Sequence, residues 1–274
     1  KLLQITTATS SEDYPHLAPD RRSLVFMSDR AGRVGIWTLD RTAGTIEAMT
    51  PPEIIAASPR WSPDGRSVLY ASTDEEQQVT IVVQERGELT ARVLARGDAE
   101  HDVSQAQWSP DGRRIVFMRR ARTGESEIVV NSLEGREQTA IAFPAGRGVA
   151  WPGFSRDGAS LVFQDEAGGE PRQIWRVAAT GGEARQVTHG AGEHSHPSAS
   201  PVDPDEILVV VDHKNIAVAS ATTGELRYLT SFDDSTVVLD YPSWSADGSR
   251  VFFSLSRKVG DLYLLEDRTQ DATP

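Results

Sequence analysis

Short runs of β-branched and aromatic residues recur along the whole chain, separated by polar turn residues. Runs such as Ser23–Ser28 (SLVFMS) and Arg114–Arg119 (RIVFMR) have strand length and partial alternation of apolar and polar positions. No segment keeps apolar residues at helical spacing over three turns. The pattern therefore predicts an almost purely β-structured chain.

A five-residue turn motif repeats together with these runs. Trp-Ser-Pro-Asp-Gly occurs at Trp61–Gly65 and Trp108–Gly112. Degraded copies begin at Leu17, Phe154, Ala199 and Trp244. The six copies are 44 to 47 residues apart, and the spacing from the last copy through the termini to the first is also 47. Such a period is typical of propellers and other repeat architectures.

Each repeat unit contains further strand-like runs after the motif. In the motif, Pro, Asp and Gly occupy the positions that a type I turn prefers, so the turn joins a first strand to a second. Third and fourth runs follow in five units, whereas the sixth unit stops near Leu265 and Glu266, and residues 2–6 carry the missing pattern. We therefore predict an all-β, six-bladed β-propeller with four antiparallel strands per blade and an N-terminal strand that closes the last blade. Residues 1–266 are expected to form this single domain, and residues 267–274 a C-terminal tail.

The repeats resemble the TolB-type six-bladed propeller family. The resemblance rests on the WSPDG signature, the period of about 45 residues and outer strands that end in Leu-Thr or Val-Thr, and it spans all six units. It implies a propeller that serves as a periplasmic protein-binding module, as a sensory or scaffold part of a larger protein, or as the fold of an oligogalacturonate lyase. A periplasmic or otherwise extracytoplasmic location is implied with it.

Composition and charge exclude several classes of protein. The chain has 28 Lys and Arg against 40 Asp and Glu, a net charge of −12, which opposes nucleic-acid binding. No apolar run is long enough to span a membrane, and the absence of Cys excludes disulfides, thiolate zinc sites and a Cys nucleophile. No nucleophile elbow or Gly-rich phosphate loop is present. The chain begins with Lys, so we expect a processed or trimmed chain, and we predict a monomer.

The links between successive units are rich in acidic residues. We expect residues 7–13, 51–57, 97–104, 143–150, 189–196 and 231–240 to converge around one mouth of the central channel. These links hold ten Asp and Glu residues against one base, Arg147. Asp is also an ordinary loop residue. An acidic mouth would attract cations or a basic peptide.

Aromatic residues recur at the aligned position three before the motif. Tyr14, Trp151 and Tyr241 occupy it, together with His196 in the fifth unit. Such rings can stack on a ligand or pack between blades. The predicted ligand-binding set at the channel mouth is Glu12, Asp13, Tyr14, His16, Arg60, Asp102, Trp151, Asp240 and Tyr241.

Histidine is concentrated in the same links. His194 and His196 are two residues apart, which places both rings on one side of an extended strand, where they could ligate one metal. Glu193 and a residue from a neighbouring blade, such as His101 or Asp240, could complete a divalent-metal site, and the His-Ser-His-Pro run resembles the metal-ligand strand of oligogalacturonate lyases. The alternative is a pair of solvated loop histidines. No other cofactor is indicated.

These observations favour binding over catalysis. We predict a non-catalytic binding propeller that engages a protein or peptide with a basic segment, or a small ligand with or without a divalent cation, at the acidic mouth. One alternative is a metal-dependent carbohydrate lyase that uses His194 and His196. Another is a sensory or scaffold domain of a larger protein.

Overall fold

A computed structural model of the chain describes residues 2–7, 9–73, 76–134, 138–142, 147–167 and 171–257. These residues form 22 β-strands and no helix. No helix in the described ranges could therefore span a membrane.

Five sheets have four antiparallel strands each, and we call them blades 1 to 5. Blade 1 contains β1 (Glu12–Leu17), β2 (Ser23–Ser28), β3 (Gly35–Asp40) and β4 (Thr45–Ala48). Blade 2 contains β5 (Ala56–Trp61), β6 (Ser67–Thr73), β7 (Val79–Glu85) and β8 (Ala91–Arg96). Blade 3 contains β9 (His101–Trp108), β10 (Arg114–Ala121), β11 (Ser126–Ser132) and β12 (Gln138–Ala142). Blade 4 contains β13 (Arg147–Phe154), β14 (Ser160–Ala167), β15 (Ile174–Ala178) and β16 (Arg185–Gln186). Blade 5 contains β17 (His194–Ala199), β18 (Glu206–Val211), β19 (Asn215–Ser220) and β20 (Leu226–Tyr228). A sixth sheet contains β21 (Val237–Trp244) and β22 (Val251–Arg257).

Each blade packs face to face on the next, and the sixth sheet packs on blade 1 to close a ring. Because side chains alternate along a strand, each blade contributes apolar residues to the spaces on both of its sides. The core between blades 4 and 5 includes Val162, Ile174 and Val209, all nearly inaccessible to solvent. The core is thus divided among the spaces between neighbouring blades.

The prediction of six complete four-stranded blades is wrong, because the structure shows five. The proposed closing strand is also absent: residues 2–7 form no strand, and Leu2 and Leu3 are 59% and 70% exposed. The ring is closed instead by packing of β21 and β22 on β1, where Ser243 Oγ donates to Pro15 O at 2.6 Å. The sequence at residues 2–6 suits a strand. A strand forms only when it pairs with the edge of another strand, however, and a local sequence pattern does not determine which edge is available. The last predicted run and the predicted tail, residues 261–274, lie outside the described residues.

The repeated motif forms the turn between the first and second strand of a blade. Ser62 Oγ donates to Asp64 Oδ1 at 2.6 Å and accepts the Ser67 amide at 3.0 Å, and Gly65 has a φ of 70°. Three other copies make the same Ser-to-Asp hydrogen bond, at Ser109, Ser155 and Ser245. We call the surface formed by these turns, residues 62–65, 109–112, 155–158 and 245–248, the turn face. The surface at the opposite strand ends, which carries the links 9–13, 51–57, 97–104, 189–196 and 231–240, is the link face.

Candidate functional site

The first strand of every sheet is interrupted by a β-bulge at the aligned position three before the motif. All six residues at this position are non-glycine and have φ between 51° and 58°: Tyr14, Ser58, Gln105, Trp151, His196 and Tyr241. The left-handed conformation is unfavourable for such residues by about 1–2 kcal/mol each, so its six-fold recurrence identifies it as a built-in feature of the fold. Bulges re-aim side chains. Here the re-aimed aromatic side chains meet in the channel.

Four of these side chains form an aromatic cluster that we define as Tyr14, Trp151, His196 and Tyr241. The Tyr14 and Tyr241 rings are stacked with centroids 3.7 Å apart. Trp151 lies 5.7 Å from Tyr14 and 4.7 Å from His196. Tyr14 and Trp151 belong to blades 1 and 4, which lie opposite each other in the ring, so their contact spans the channel. The rings pack on one another across the channel, an arrangement that differs from both ligand stacking and inter-blade packing.

The link face carries the predicted acidic residues, but several of them are paired. Glu12 pairs with Arg30, and Glu193 Oε1 lies 2.6 Å from Arg172. Both arginines lie in connections between the second and third strands, which also open on the link face but were left out of the acidic count. Five link carboxylates have no ion pair among the described residues: Asp13, Glu53, Glu100, Asp102 and Asp233. These five are the link carboxylates that have no cationic partner in the described ranges.

A histidine–carboxylate network lies beside the aromatic cluster. His213 Nδ1 lies 3.1 Å from Asp240 Oδ1, and its Nε2 lies 3.2 Å from Glu193 Oε1. The hydrogen bond to Asp240 raises the pKa of His213, whereas burial lowers the pKa of His196 to about 4. His213 was missed by sequence reasoning because it lies in the turn between β18 and β19, outside the links. His213 could have been predicted from the sequence, because the turns between second and third strands open on the link face.

Only part of the predicted metal-ligand set is brought together: His196 Nδ1 lies 3.7 Å from Asp240 Oδ1 and belongs with Glu193 to the histidine–carboxylate network, whereas His194 and His101 contact other groups. His194 is 3% exposed, and its Nδ1 lies 2.9 Å from Gln173 Oε1, whereas His101 Nδ1 lies 3.0 Å from Asp98 Oδ1 in blade 3. The bulge after Ser195 breaks the strand alternation, so His194 and His196 contact different groups. The described part of the chain contains no group of three or more His, Asp and Glu residues that could hold a metal. The divalent-metal site therefore remains a prediction.

A cavity of about 360 Å³ opens on the turn-face side of the aromatic cluster. Trp151, His196 and Tyr241 contribute to its lining, together with the motif residues. His16 and Arg60 also line this cavity and lie away from the acidic links. The predicted ligand-binding set is thereby split. Glu12, Asp13, Asp102 and Asp240 lie on the link face, Tyr14, Trp151 and Tyr241 lie in the cluster, and His16 and Arg60 lie in the cavity.

Comparisons with known proteins agree with this architecture. The Tol-Pal system protein TolB of Francisella tularensis subsp. mediasiatica (strain FSC147) is 25% identical over 237 residues, which cover 84% of this chain and 53% of that protein. The chain therefore spans about half the length of the curated relatives it matches.

Solved structures show the same fold. A putative TolB from Agrobacterium tumefaciens superimposes with a TM-score of 0.77 at 20% identity, covering 93% of both chains. An oligogalacturonate lyase from Vibrio parahaemolyticus superimposes with a TM-score of 0.60 at 12% identity, covering 91% of this chain and 88% of the lyase. At these identities the likeness concerns the fold alone. The model of the TolB beta propeller domain family matches residues 1–151 and 100–270, so the chain belongs to the TolB β-propeller domain family.

Proposed function

We propose that the chain is a non-catalytic binding propeller whose link face takes a basic segment of a protein partner. The observation that carries this proposal is the set of five link carboxylates without an ion pair in the described ranges, which includes Asp13 and Asp102. Unpaired carboxylates around one opening attract Lys and Arg side chains. Membership of the TolB propeller family supports a binding role and, with it, an extracytoplasmic location.

The aromatic cluster limits how such a partner binds. Ring centroids 3.7 to 5.7 Å apart narrow that part of the channel for an extended chain. A basic segment would therefore lie across the link face, with its side chains directed at the carboxylates. Exposed charge pairs of this kind mainly raise the association rate and are weakened by salt.

The test measures binding of a labelled synthetic octapeptide of alternating Lys and Ser, with a matched peptide in which Glu replaces Lys. We expect the Lys peptide to bind and its affinity to fall as salt rises from about 0.05 to about 0.2 M, because this rise roughly halves the Debye length. The double variant Asp13→Asn/Asp102→Asn should weaken binding about fivefold, the magnitude of two exposed charge pairs.

Glu88→Gln is the matched control. Glu88 is an exposed carboxylate in the connection between β7 and β8, which opens on the turn face. Its loss should leave peptide affinity unchanged. Equal binding of the Lys and Glu peptides, or an equal loss in the Glu88 variant, would refute the proposal.

No observation favours the metal-dependent lyase as a second function. His194 and His101 are engaged with Gln173 and Asp98, and the 12% identity to the lyase concerns the fold. A sensory or scaffold role within a larger protein is compatible with the same link-face binding. The two roles differ only in whether binding at the link face is coupled to another part of a larger protein.

A further inference from the structure

The cavity on the turn-face side of the channel is built by the repeat itself. Its wall includes the first motif residue of all six units, and these are Leu17, Trp61, Trp108, Phe154, Ala199 and Trp244. Its volume of about 360 Å³ falls within the range of small-molecule sites, roughly 300–1,000 Å³. The described lining contains no Asp or Glu. The cavity is therefore mainly apolar, and its charged side chains are basic.

Arg60 is the buried charge of this cavity. Its exposed fraction is 8%, which is unusual for Arg, because a buried guanidinium is normally paired with a carboxylate. Its Nη1 donates to Pro59 O at 2.9 Å, and its guanidinium lies 5.9 Å from the centre of the Tyr14 ring. No carboxylate of the described residues lies within ion-pair distance of it. The charge is compensated only by one carbonyl and one ring face.

Arg60 combines membership of the cavity lining with accessible guanidinium nitrogens. Each Arg60 nitrogen either makes a hydrogen bond or is accessible to solvent. Because Nη1 is the nitrogen that makes a hydrogen bond in the described structure, the other nitrogens are accessible. Arg60 is part of the cavity lining. These accessible nitrogens can donate two parallel hydrogen bonds to a carboxylate that is bound in the cavity.

His16 lies beside Arg60 and remains uncharged. The Trp61 amide donates to His16 Nδ1 at 3.1 Å, which places the ring hydrogen of the neutral form on Nε2. Burial and the charge of Arg60 lower the pKa of His16 to about 3. His16 therefore supplies a neutral donor. Arg60 remains the single buried positive charge of the lining, because the other arginine there, Arg156, is exposed.

We propose that the cavity binds a small monocarboxylate with a flat apolar body, and that Arg60 holds its carboxylate. One buried cation matches one negative charge, whereas a phosphate dianion would bury a second charge without compensation. The rings of Trp108, Phe154 and Trp244 on the wall suit a planar apolar body. Ala199 stands where three other units carry Trp, so blade 5 leaves room on that side.

The test measures binding of four probes by calorimetry: phenylacetate, benzoate, indole-3-acetate and cyclohexanecarboxylate. Phenylacetamide serves as the uncharged match of phenylacetate, and inorganic phosphate as the competing anion. We expect at least one of the three aromatic monocarboxylates to bind at one site per chain, at least tenfold more tightly than phosphate, and phenylacetate to bind at least tenfold more tightly than phenylacetamide. Trp61, Trp108, Trp151 and Trp244 line the cavity and report binding by fluorescence.

Arg60→Met removes the charge and keeps most of the volume. It should weaken monocarboxylate binding at least tenfold, and Arg60→Lys should also weaken it, because Lys lacks the planar fork. Arg66→Met is the matched control, since Arg66 is an exposed arginine at the motif turn of the same blade. Ala199→Trp restores the residue common to the repeat and should abolish binding by filling the cavity.

Stability provides a second readout. Because Arg60 has no carboxylate partner in the described structure, Arg60→Met should leave the melting temperature of the ligand-free protein unchanged or raise it. A sharp fall in melting temperature would show a structural role and overturn the proposal. So would retained affinity in Arg60→Met, failure of all four probes to bind the native protein, or tighter binding of phosphate. These variants lie on the opposite face from Asp13 and Asp102, so this proposal and the link-face proposal can fail separately.

Discussion

Substitution of the motif serine of blade 3 by alanine should destabilise the protein by about 2 kcal/mol. Ser109 is fully buried, and its Oγ donates to Asp111 Oδ1 at 2.5 Å and accepts the Arg114 amide at 2.9 Å. Ser109→Ala removes both hydrogen bonds. The bond to Asp111 is to an exposed carboxylate and contributes about 0.5 kcal/mol, whereas the Arg114 amide, left without a partner beside the buried residue 109, costs about 1–3 kcal/mol. The amide therefore dominates the loss.

Urea unfolding, followed by tryptophan fluorescence, measures this change. We expect Ser109→Ala to lower the midpoint without changing the slope, since the surface exposed on unfolding is the same. Ser235→Ala replaces an exposed serine and should change the free energy of unfolding by less than about 0.5 kcal/mol. Ser245→Ala should match Ser109→Ala, because Ser245 makes the same two bonds. A loss in Ser109→Ala no larger than that of the exposed control would refute the reasoning.

Three further predictions concern pH and backbone conformation. Hydrogen bonds, chiefly from the motif serine, lower the pKa of Asp111, so its contribution to stability is present above about pH 4 and lost as pH falls through the lowered value. Thermal melts should show a decline below pH 4 that is smaller in Asp111→Asn. The pKa of His213 is raised by its hydrogen bond to Asp240, so this contribution is present below about pH 6.5 and lost as pH rises through the folded value. NMR titration should show the raised value, and an unchanged value in Asp240→Asn would contradict the assignment. Gly224 has a φ of 75°, and a Cβ there would lie 2.3 Å from a backbone oxygen, so Gly224→Ala should cost at least ~2 kcal/mol in urea unfolding. Gly44 has a φ of 73° with nothing within 4 Å, so Gly44→Ala should cost only about 1 kcal/mol, and equal losses would rule out the clash.

The repeat predicted the β-propeller class because its information is local. Each motif turn is held by hydrogen bonds among its own residues, as at Ser62, Asp64 and Ser67. Each strand run likewise has its own alternation of apolar and polar positions. The closure of the ring was predicted wrongly because it depends on which edges meet. Residues 2–6 suit a strand, yet β21 and β22 pack directly on β1.

Several predicted site residues lie in surroundings that differ from those expected from the sequence. The alternation rule put His194 and His196 on one side, but the bulge between Ser195 and Ser198 separates them. The acidic count of the links omitted the arginines that reach the same face from other connections, such as Arg30 and Arg172. A bulge shifts every later side chain of a strand, so small local departures change what meets in the channel.

The sequence by itself determined the β-class, the repeat period, the turn chemistry and the excess of acidic residues in the links. Each of these depends on residues that are neighbours along the chain. Only the tertiary structure decided that the aromatic side chains meet across the channel, that half of the link carboxylates are paired, and that Arg60 lines a cavity without a carboxylate partner in the described residues. These features join side chains from different blades, and their positions depend on how the blades pack around the ring.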